Sequence, residues 1–233
     1  MTGLAGDDTL DGGAEYDTAA MGNAGFRGVA TAASGNRLTI ISAAGTDTLF
    51  NVEVVTFADG RLVFDVHDPA ARVLRLYEVA LDRLPDQGGL NHWIDAVQDG
   101  QPIAALASFF LGSPEFGARF GDLPDNDAFV GRLYSNVLGR AGDAGGRQFW
   151  FDSLNSGNAG RAEVLVSFSE SAENRAGTAA LVDRGIWDRS EAAAEAARLY
   201  DTVFGRLPTR RAWPLGRMRS KVAAPPFPRS PTA

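Results

Sequence analysis

RLYEVALDRLPDQGGLNHW at residues 75–93 returns as RLYSNVLGRAGDAGGRQFW at 132–150 and begins a third time as RLYDTVFGRLPTRRAW at 198–213. The spacings of 57 and 66 residues leave room for several short helices in each copy. What recurs is a helix signature with no recurring catalytic group, and that pattern points to a binding or structural array.

Within the first copy, Val73, Leu76, Tyr77, Ala80 and Leu81 form a stripe at helical spacing over residues 71–83, and Leu84-Pro85-Asp86-Gln87-Gly88-Gly89 ends it. Leu90, Trp93, Ile94 and Val97 predict a second helix, closed by Asp99-Gly100. Pro102 suits the first turn of a third helix, with Ile103, Leu106, Phe109 and Phe110 available for burial. Ser113-Pro114-Glu115-Phe116 supplies a cap, an N1 proline and an early acid for a fourth. The second copy follows with Leu133, Tyr134, Val137 and Leu138, then Phe149, Trp150 and Leu154, then Val164, Leu165 and Phe168. Its Ser171-Ala172-Glu173-Asn174 lacks the proline and the aromatic residue, which predicts a looser last turn. Residues 70–121 and 127–187 therefore read as four-helix modules, and 193–208 as a third copy that reaches only its first helix.

The recurrent polar residues have structural readings. Asp86 and Asp143 suit N-caps or turns, and Arg83, Arg140 and Arg206 sit in last turns from which they can reach such an aspartate. Tyr77, Tyr134, Trp93 and Trp150 lie on apolar stripes and read as core, with carbohydrate stacking the alternative. Glu163, Glu170 and Glu173 read as a solvated face.

Charge divides the chain. Residues 1–207 hold all 29 acidic and 16 of the 22 basic residues, a balance of −13, while the remainder holds six basic residues and no acid. The acidic body disfavours nucleic acid and other polyanions and suits divalent cations. The chain has no cysteine, so neither a disulfide framework nor a thiol site is available. No apolar run approaches membrane-spanning length, and Thr2–Leu10 lacks the order of a cleaved signal peptide.

Residues 3–19, GLAGDDTLDGGAEYDTA, alternate turn-forming glycines with carboxylates able to face a hard cation, a solvated acidic turn being the plainer reading. Over residues 36–65, alternating Leu38 and Ile40, then Val52, Val54, Leu62 and Phe64, with a turn at Ala58-Asp59-Gly60-Arg61, predict three or four short strands in a small sheet or hairpin stack. On Gly3, Gly6, Asp8, Leu10, Gly12, Gly13 and Asp17, the head resembles the end of a hemolysin-type (RTX) calcium-binding nonapeptide array, although Glu15 and Ala19 depart from it. Asp47, Glu53, Phe57, Asp59 and Gly60 resemble the segment that closes such arrays. The resemblance implies a β-roll end over residues 1–67, with Ca2+ as cofactor and Gly6, Asp8, Asp11 and Asp17 as metal-site residues. Calcium in such rolls lies between turns about 18 residues apart. Asp8 and Asp17 are nine apart, so the site is incomplete unless further coils belong to a longer parent.

In the helical part, Leu76, Tyr77, Arg83, Pro85, Asp86, Gly88, Gly89 and Trp93, matched by Leu133, Tyr134, Gly139, Arg140, Asp143, Gly145, Gly146 and Trp150, resemble the domain-of-unknown-function family 4214. That family occurs as repeats in bacterial extracellular and surface proteins, often beside hemolysin-type repeats, and carries no assigned activity. Gly142 stands where proline is usual, and the third copy retains only Leu199, Tyr200, Gly205, Arg206 and Pro208. The expected fold class is mixed: a small Gly/Asp-rich β-roll end and β-hairpins, followed by mainly α-helical repeats.

Catalytic patterns are absent. His67 and His92, the two histidines, lie 25 residues apart without partner spacing; there is no G-x-S-x-G elbow, and Lys221, the single lysine, follows no glycine-rich turn. The chain is expected not to be an enzyme.

Residues 209–233 are basic and hold five of the prolines that follow Arg206, which reads as a disordered tail. Synonymous codons for 208–213 also permit a one-base shift that restores the repeat's turn and second helix, so the tail is alternatively a frameshift product. That reading leaves the third repeat unpaired and prone to self-association, and removes a C-terminal export signal. The function expected is a non-catalytic, calcium-linked extracellular or surface-associated interaction module of a larger secreted protein, with a protein or glycan partner. The alternative is an accessory part of a secreted calcium-dependent enzyme or toxin.

Overall fold

A computed structural model of the protein describes residues 6–22, 24–121, 123, 125–190, 195 and 202. The chain divides into two compact units, Met1–Ser190 and Glu191–Ala233, and every element named below belongs to the first. The third copy at 193–208 lies outside the described residues except for Glu195 and Thr202, and so does the tail at 209–233.

The head contains β1 (Thr9–Asp11), β2 (Thr18–Ala20), a short 3-10 turn (Phe26–Gly28), β3 (Ala30–Ser34), β4 (Arg37–Ser42), β5 (Gly45–Phe50), β6 (Val54–Phe57) and β7 (Gly60–Val63). Helices follow: α1 (Pro69–Leu81), α2 (Gln87–Gln98), α3 (Ile103–Leu111), α4 (Pro114–Phe120), α5 (Asn126–Val137), α6 (Ala144–Asn155), α7 (Arg161–Ser169) and α8 (Ala172–Val182). The chain then returns to the head as β8 (Ile186–Arg189).

The β-roll expectation is corrected by the sheet topology. The strands form two open sheets, ordered β1-β5-β4-β3 and β2-β6-β7-β8, and neither is closed or curled. Only the β1–β5 and β2–β6 pairs are parallel; the other four pairs are antiparallel. Short reversals such as Gly35–Asn36 and Ala58–Asp59 favour antiparallel return of the chain, whereas a roll must advance in one sense. β3 and β8 were not legible as strands: β3 is an exposed Ala/Thr edge, and Ile-Trp-Asp-Arg is too short to show alternation.

The second sheet is covered on both sides, which explains why NVEVVTF and RLVF lack a polar face. Val55, Phe57 and Leu62 join Leu38, Ile40 and Leu49 of the first sheet in a sandwich core. Val54, Val63 and Ile186 instead join the helical core. The order is thus sheet, sheet, helices, three layers sharing the middle sheet.

Helix α1 sits at the centre of the helical layer. It packs on α2, α3 and α4 of its own copy and on α7 and α8 of the second. Ten of its 13 residues are buried, so VLRLYEVAL is apolar around its circumference except at Arg75 and Glu78. Arg75 is 1% exposed and forms a bidentate pair with Glu170 at the end of α7, at 3.0 and 2.7 Å. Glu170 therefore belongs to an inter-repeat contact and not to a solvated face. The α8 terminus also differs from expectation: Ser171 Oγ accepts the Asn174 N–H at 3.2 Å, and the helix runs for 11 residues against 7 in α4. Buried Asn174 donates from Nδ2 to Ser169 O at 2.8 Å, which replaces the packing of Phe116 with a hydrogen bond.

One guanidinium joins the middle sheet to the helical layer. Arg61 on β7 donates from Nε to Asp188 on β8 at 2.6 Å and from both Nη atoms to Asp68 at 2.7 and 3.0 Å. Asp68 in turn caps α1 by accepting the Ala70 N–H at 2.8 Å. Desolvation raises the Asp188 carboxyl above its ordinary 3.8, and Arg61 opposes that rise. Arg61→Met strands two buried carboxylates and is expected to lower urea-unfolding stability by about 3 kcal/mol. For Asp188, a raised folded-state value makes its stabilising contribution complete near and below pH 3.8 and lost as pH rises through the raised value. The stability of the native chain relative to Asp188→Asn should fall across that interval, and a difference independent of pH would contradict the assignment.

Candidate functional site

The residues singled out as a metal site do not converge. Asp8 precedes β1 and Asp11 ends it in the first sheet, whereas Asp17 precedes β2 in the second. The Gly6 N–H donates to Ala44 O at 2.9 Å, and its φ of 121° accounts for the glycine. The Asp8 N–H donates to Asp47 Oδ1 at 3.2 Å. Asp11 Oδ1 accepts the Gly13 N–H at 3.1 Å and Asn51 Nδ2 at 2.8 Å. The Asp17 N–H donates to Glu53 Oε2 at 2.7 Å, and Asp59 Oδ1 accepts the Phe26 N–H at 2.8 Å. The carboxylates of the head thus tie one turn to the backbone of the next. Among the described residues no group of three or more His, Cys, Asp or Glu is gathered as metal ligands. The open sheets, and not that absence, overturn the array reading of the head, because a roll needs a sheet that curls.

The residues of the apparent closing segment have the same kind of role. Phe57 packs edge-on against Phe26 and Trp187, which themselves stack at 4.1 Å. A Cβ at Gly60 would strike Asp188 O and the Trp187 ring, so glycine is what admits β8.

The helical signature resolves into a device built twice. Asp86 Oδ1 accepts the Gly89 N–H at 2.9 Å, and Asp143 Oδ1 accepts the Gly146 N–H at 2.8 Å. These bonds lower both carboxyl pKa values, with the Gly89 and Gly146 amides the largest cause. Tyr77 and Tyr134 lay their hydroxyls against Gly89 and Gly146, where a Cβ would collide. Arg83 and Arg140 lie over those tyrosine rings at 5.3 and 5.4 Å. Their partners are Glu115 at 2.5 Å and Glu173 at 2.8 Å in the fourth helices, not the capping aspartates that sequence spacing suggested. The Tyr rings meet Phe110 and Phe168 edge-on at 4.7 and 4.9 Å. Every recurrent polar group therefore positions helices.

Beside this shared frame the two copies differ on their outer faces. In the first, α2 lies against β8: Gln87 Nε2 donates to Trp187 O at 2.9 Å, and Asn91 Oδ1 accepts the Arg189 N–H at 3.4 Å. In the second, α6 has no buried residue, and Phe149 is 60% exposed. On the first copy Phe109 is 56% exposed, 5.6 Å from half-buried Trp93, which also meets exposed His92 at 4.9 Å. These rings form two partly exposed aromatic clusters. His67 is exposed at the head–helix junction and donates its N–H to Asp65 Oδ1 at 2.8 Å.

No curated protein and no solved structure matches the chain. Residues 107–178 match the model of the family described as Domain of unknown function (DUF4214). That match runs from within α3 to within α8, less than half of the chain and narrower than the 70–208 that the motif suggested. It contains the whole Tyr134–Asp143–Gly146–Arg140–Glu173 device. No helix among the described residues is long and apolar enough to cross a membrane.

The close approach of tyrosine and glycine gives a direct check. Gly89→Ala and Gly146→Ala should each destabilise the fold by about 1–3 kcal/mol through overpacking. The same change at Gly117, where a Cβ meets nothing within 4 Å, should be neutral or stabilising in thermal unfolding.

Proposed function

We propose that the chain is a non-catalytic interaction module of an exported or surface-associated protein, and that its helical part holds a protein partner on the outer aromatic faces of α2, α3 and α6. The observation that carries this reading is the division of labour within the repeat. Residues that recur are committed to caps, ion pairs and helix contacts, while Phe109 and Phe149 leave more than half of their surface exposed. Large exposed aromatic side chains grouped with half-buried tryptophans are the composition of a contact surface and not of a solvated helix face.

A protein partner suits these faces better than a sugar. The Trp93 and Phe109 rings are inclined at 52°, so they offer a cleft for a side chain and no flat platform for a pyranose. Placement outside the cell rests on the resemblance of the helical motif to repeats that occur in bacterial extracellular and surface proteins.

A photoreactive phenylalanine analogue placed at Phe109 or at Phe149 in the native host should give a discrete protein adduct on irradiation, while the same analogue at exposed Ser135 should not. Equal labelling at all three positions, or none at the two aromatic positions, would sink the proposal.

A further inference from the structure

Three chain reversals meet at one end of the β-sandwich: Gly12–Gly13 after β1, Gly35–Asn36 between β3 and β4, and Asn51–Val52 between β5 and β6. With Phe64 and Asp183 they line a groove of ≈ 240 Å³. Loops held at the end of a rigid sheet pair are where such scaffolds carry binding sites.

The groove combines an apolar floor with a fixed polar rim. Leu38 and Leu49 are buried beneath it, and Val52 and Phe64 are half-buried at its surface. On the rim, Asn36 Nδ2 donates to Asn51 Oδ1 at 2.8 Å, and Asn51 Nδ2 donates to Asp11 Oδ1 at 2.8 Å. The Asn51 backbone is pinned as well, since its N–H donates to Asn36 O at 3.0 Å. Glu53 is held through Oε2 by the Asp17 N–H. Within this frame the Arg37 guanidinium and the Asp183 carboxylate have no ion pair or side-chain hydrogen bond among the described residues.

We infer that this groove binds one ring of a neutral saccharide. The argument is one of exclusion followed by complementarity. An anion would face the carboxylates of Glu53 and Asp183, a cation would face Arg37, and a wholly apolar ligand would strip water from all three without replacing its hydrogen bonds. A sugar ring has hydroxyls that both donate and accept, which matches donors on Arg37 and acceptors on Asn36, Glu53 and Asp183. Its C–H face fits the Phe64 and Val52 floor. The site lies in the head, apart from the aromatic faces of the helices, and the inference does not rest on the protein-contact reading.

The test uses the full chain, isotope-labelled, titrated separately with glucose, N-acetylglucosamine and maltotriose at millimolar concentration. At least one should shift the amide resonances of Asn36, Arg37, Asn51 and Val52. Arg37→Gln and Asp183→Asn, both at exposed positions, should leave the remaining spectrum unchanged and weaken that binding about tenfold, the value of one charge-assisted hydrogen bond. Glucuronate and glucosamine, which carry charge, should bind more weakly. The inference is overturned if none of the three neutral sugars shifts these amides, if the shifts lie elsewhere, if both variants bind as the native chain does, or if a charged sugar binds more tightly.

Discussion

The Arg61 guanidinium is the point at which the head and the helices become one body. Its donors face two carboxylates that come from opposite ends of the helical part: Asp68, which opens α1, and Asp188, on the strand that follows the last helix. A buried ion pair of this kind adds little net stability over well-packed apolar residues, but it punishes misregistration severely. Sliding β8 by one residue along β7 would exchange Asp188 for Trp187 or Arg189 opposite Arg61. The first would remove the Phe26–Trp187 stack and the second would place two cations together. The clamp therefore selects one register for β8, and that register places the backbone groups of Trp187 and Arg189 where Gln87 and Asn91 of α2 can satisfy an otherwise open sheet edge.

This closure changes what repetition means for the protein. In a simple repeat array each copy touches its neighbours and stability adds along the chain. Here the first copy is enclosed by the middle sheet, by its own helices and by α7 and α8, while the second is left with α6 uncovered. Equivalent residues consequently have unequal environments. Arg75 is buried on Glu170, yet its counterpart Arg132 is exposed; Val79 is buried, yet its counterpart is Asn136. The contact between Arg61 and Asp188 also bridges 127 residues, so it fixes the two ends of the helical part on one sheet.

The extent to which this was legible in the sequence follows from the range of the forces involved. The eight helices declare themselves because apolar period, cap and terminator lie within one turn of each other, as in Asp86 and Gly89 or Ser113 and Phe116. Strand positions in 36–65 were also visible from alternation. Strand partners were not, because a nine-residue Gly/Asp rhythm is compatible with both a roll and two open sheets until distant hairpins choose between them. Asp47, Glu53 and Asp59 resemble a closing segment in sequence, and what their carboxylates do is accept backbone N–H groups from distant turns, a role that local spacing does not show. Arg75 could have been found earlier, since a single arginine in a helix apolar on all sides requires a buried acceptor. The groove beside Asn51 could not, because its rim comes from three reversals with no local relation.

The contrast between the two copies finally separates what builds the repeat from what it presents. Tyr77 and Tyr134, Phe110 and Phe168, Gly89 and Gly146 occupy matching sites with matching contacts, and none is available to a ligand without dismantling the helix pair. His92 is matched by Phe149 and Phe109 by Ser167, positions whose side chains meet solvent and whose exchange leaves the frame intact. The first group builds the helix pair, and only the second is open at the surface. A motif that recurs this faithfully therefore says how the helices stack and nothing about what they hold, and the chemistry of recognition must be sought where the copies disagree.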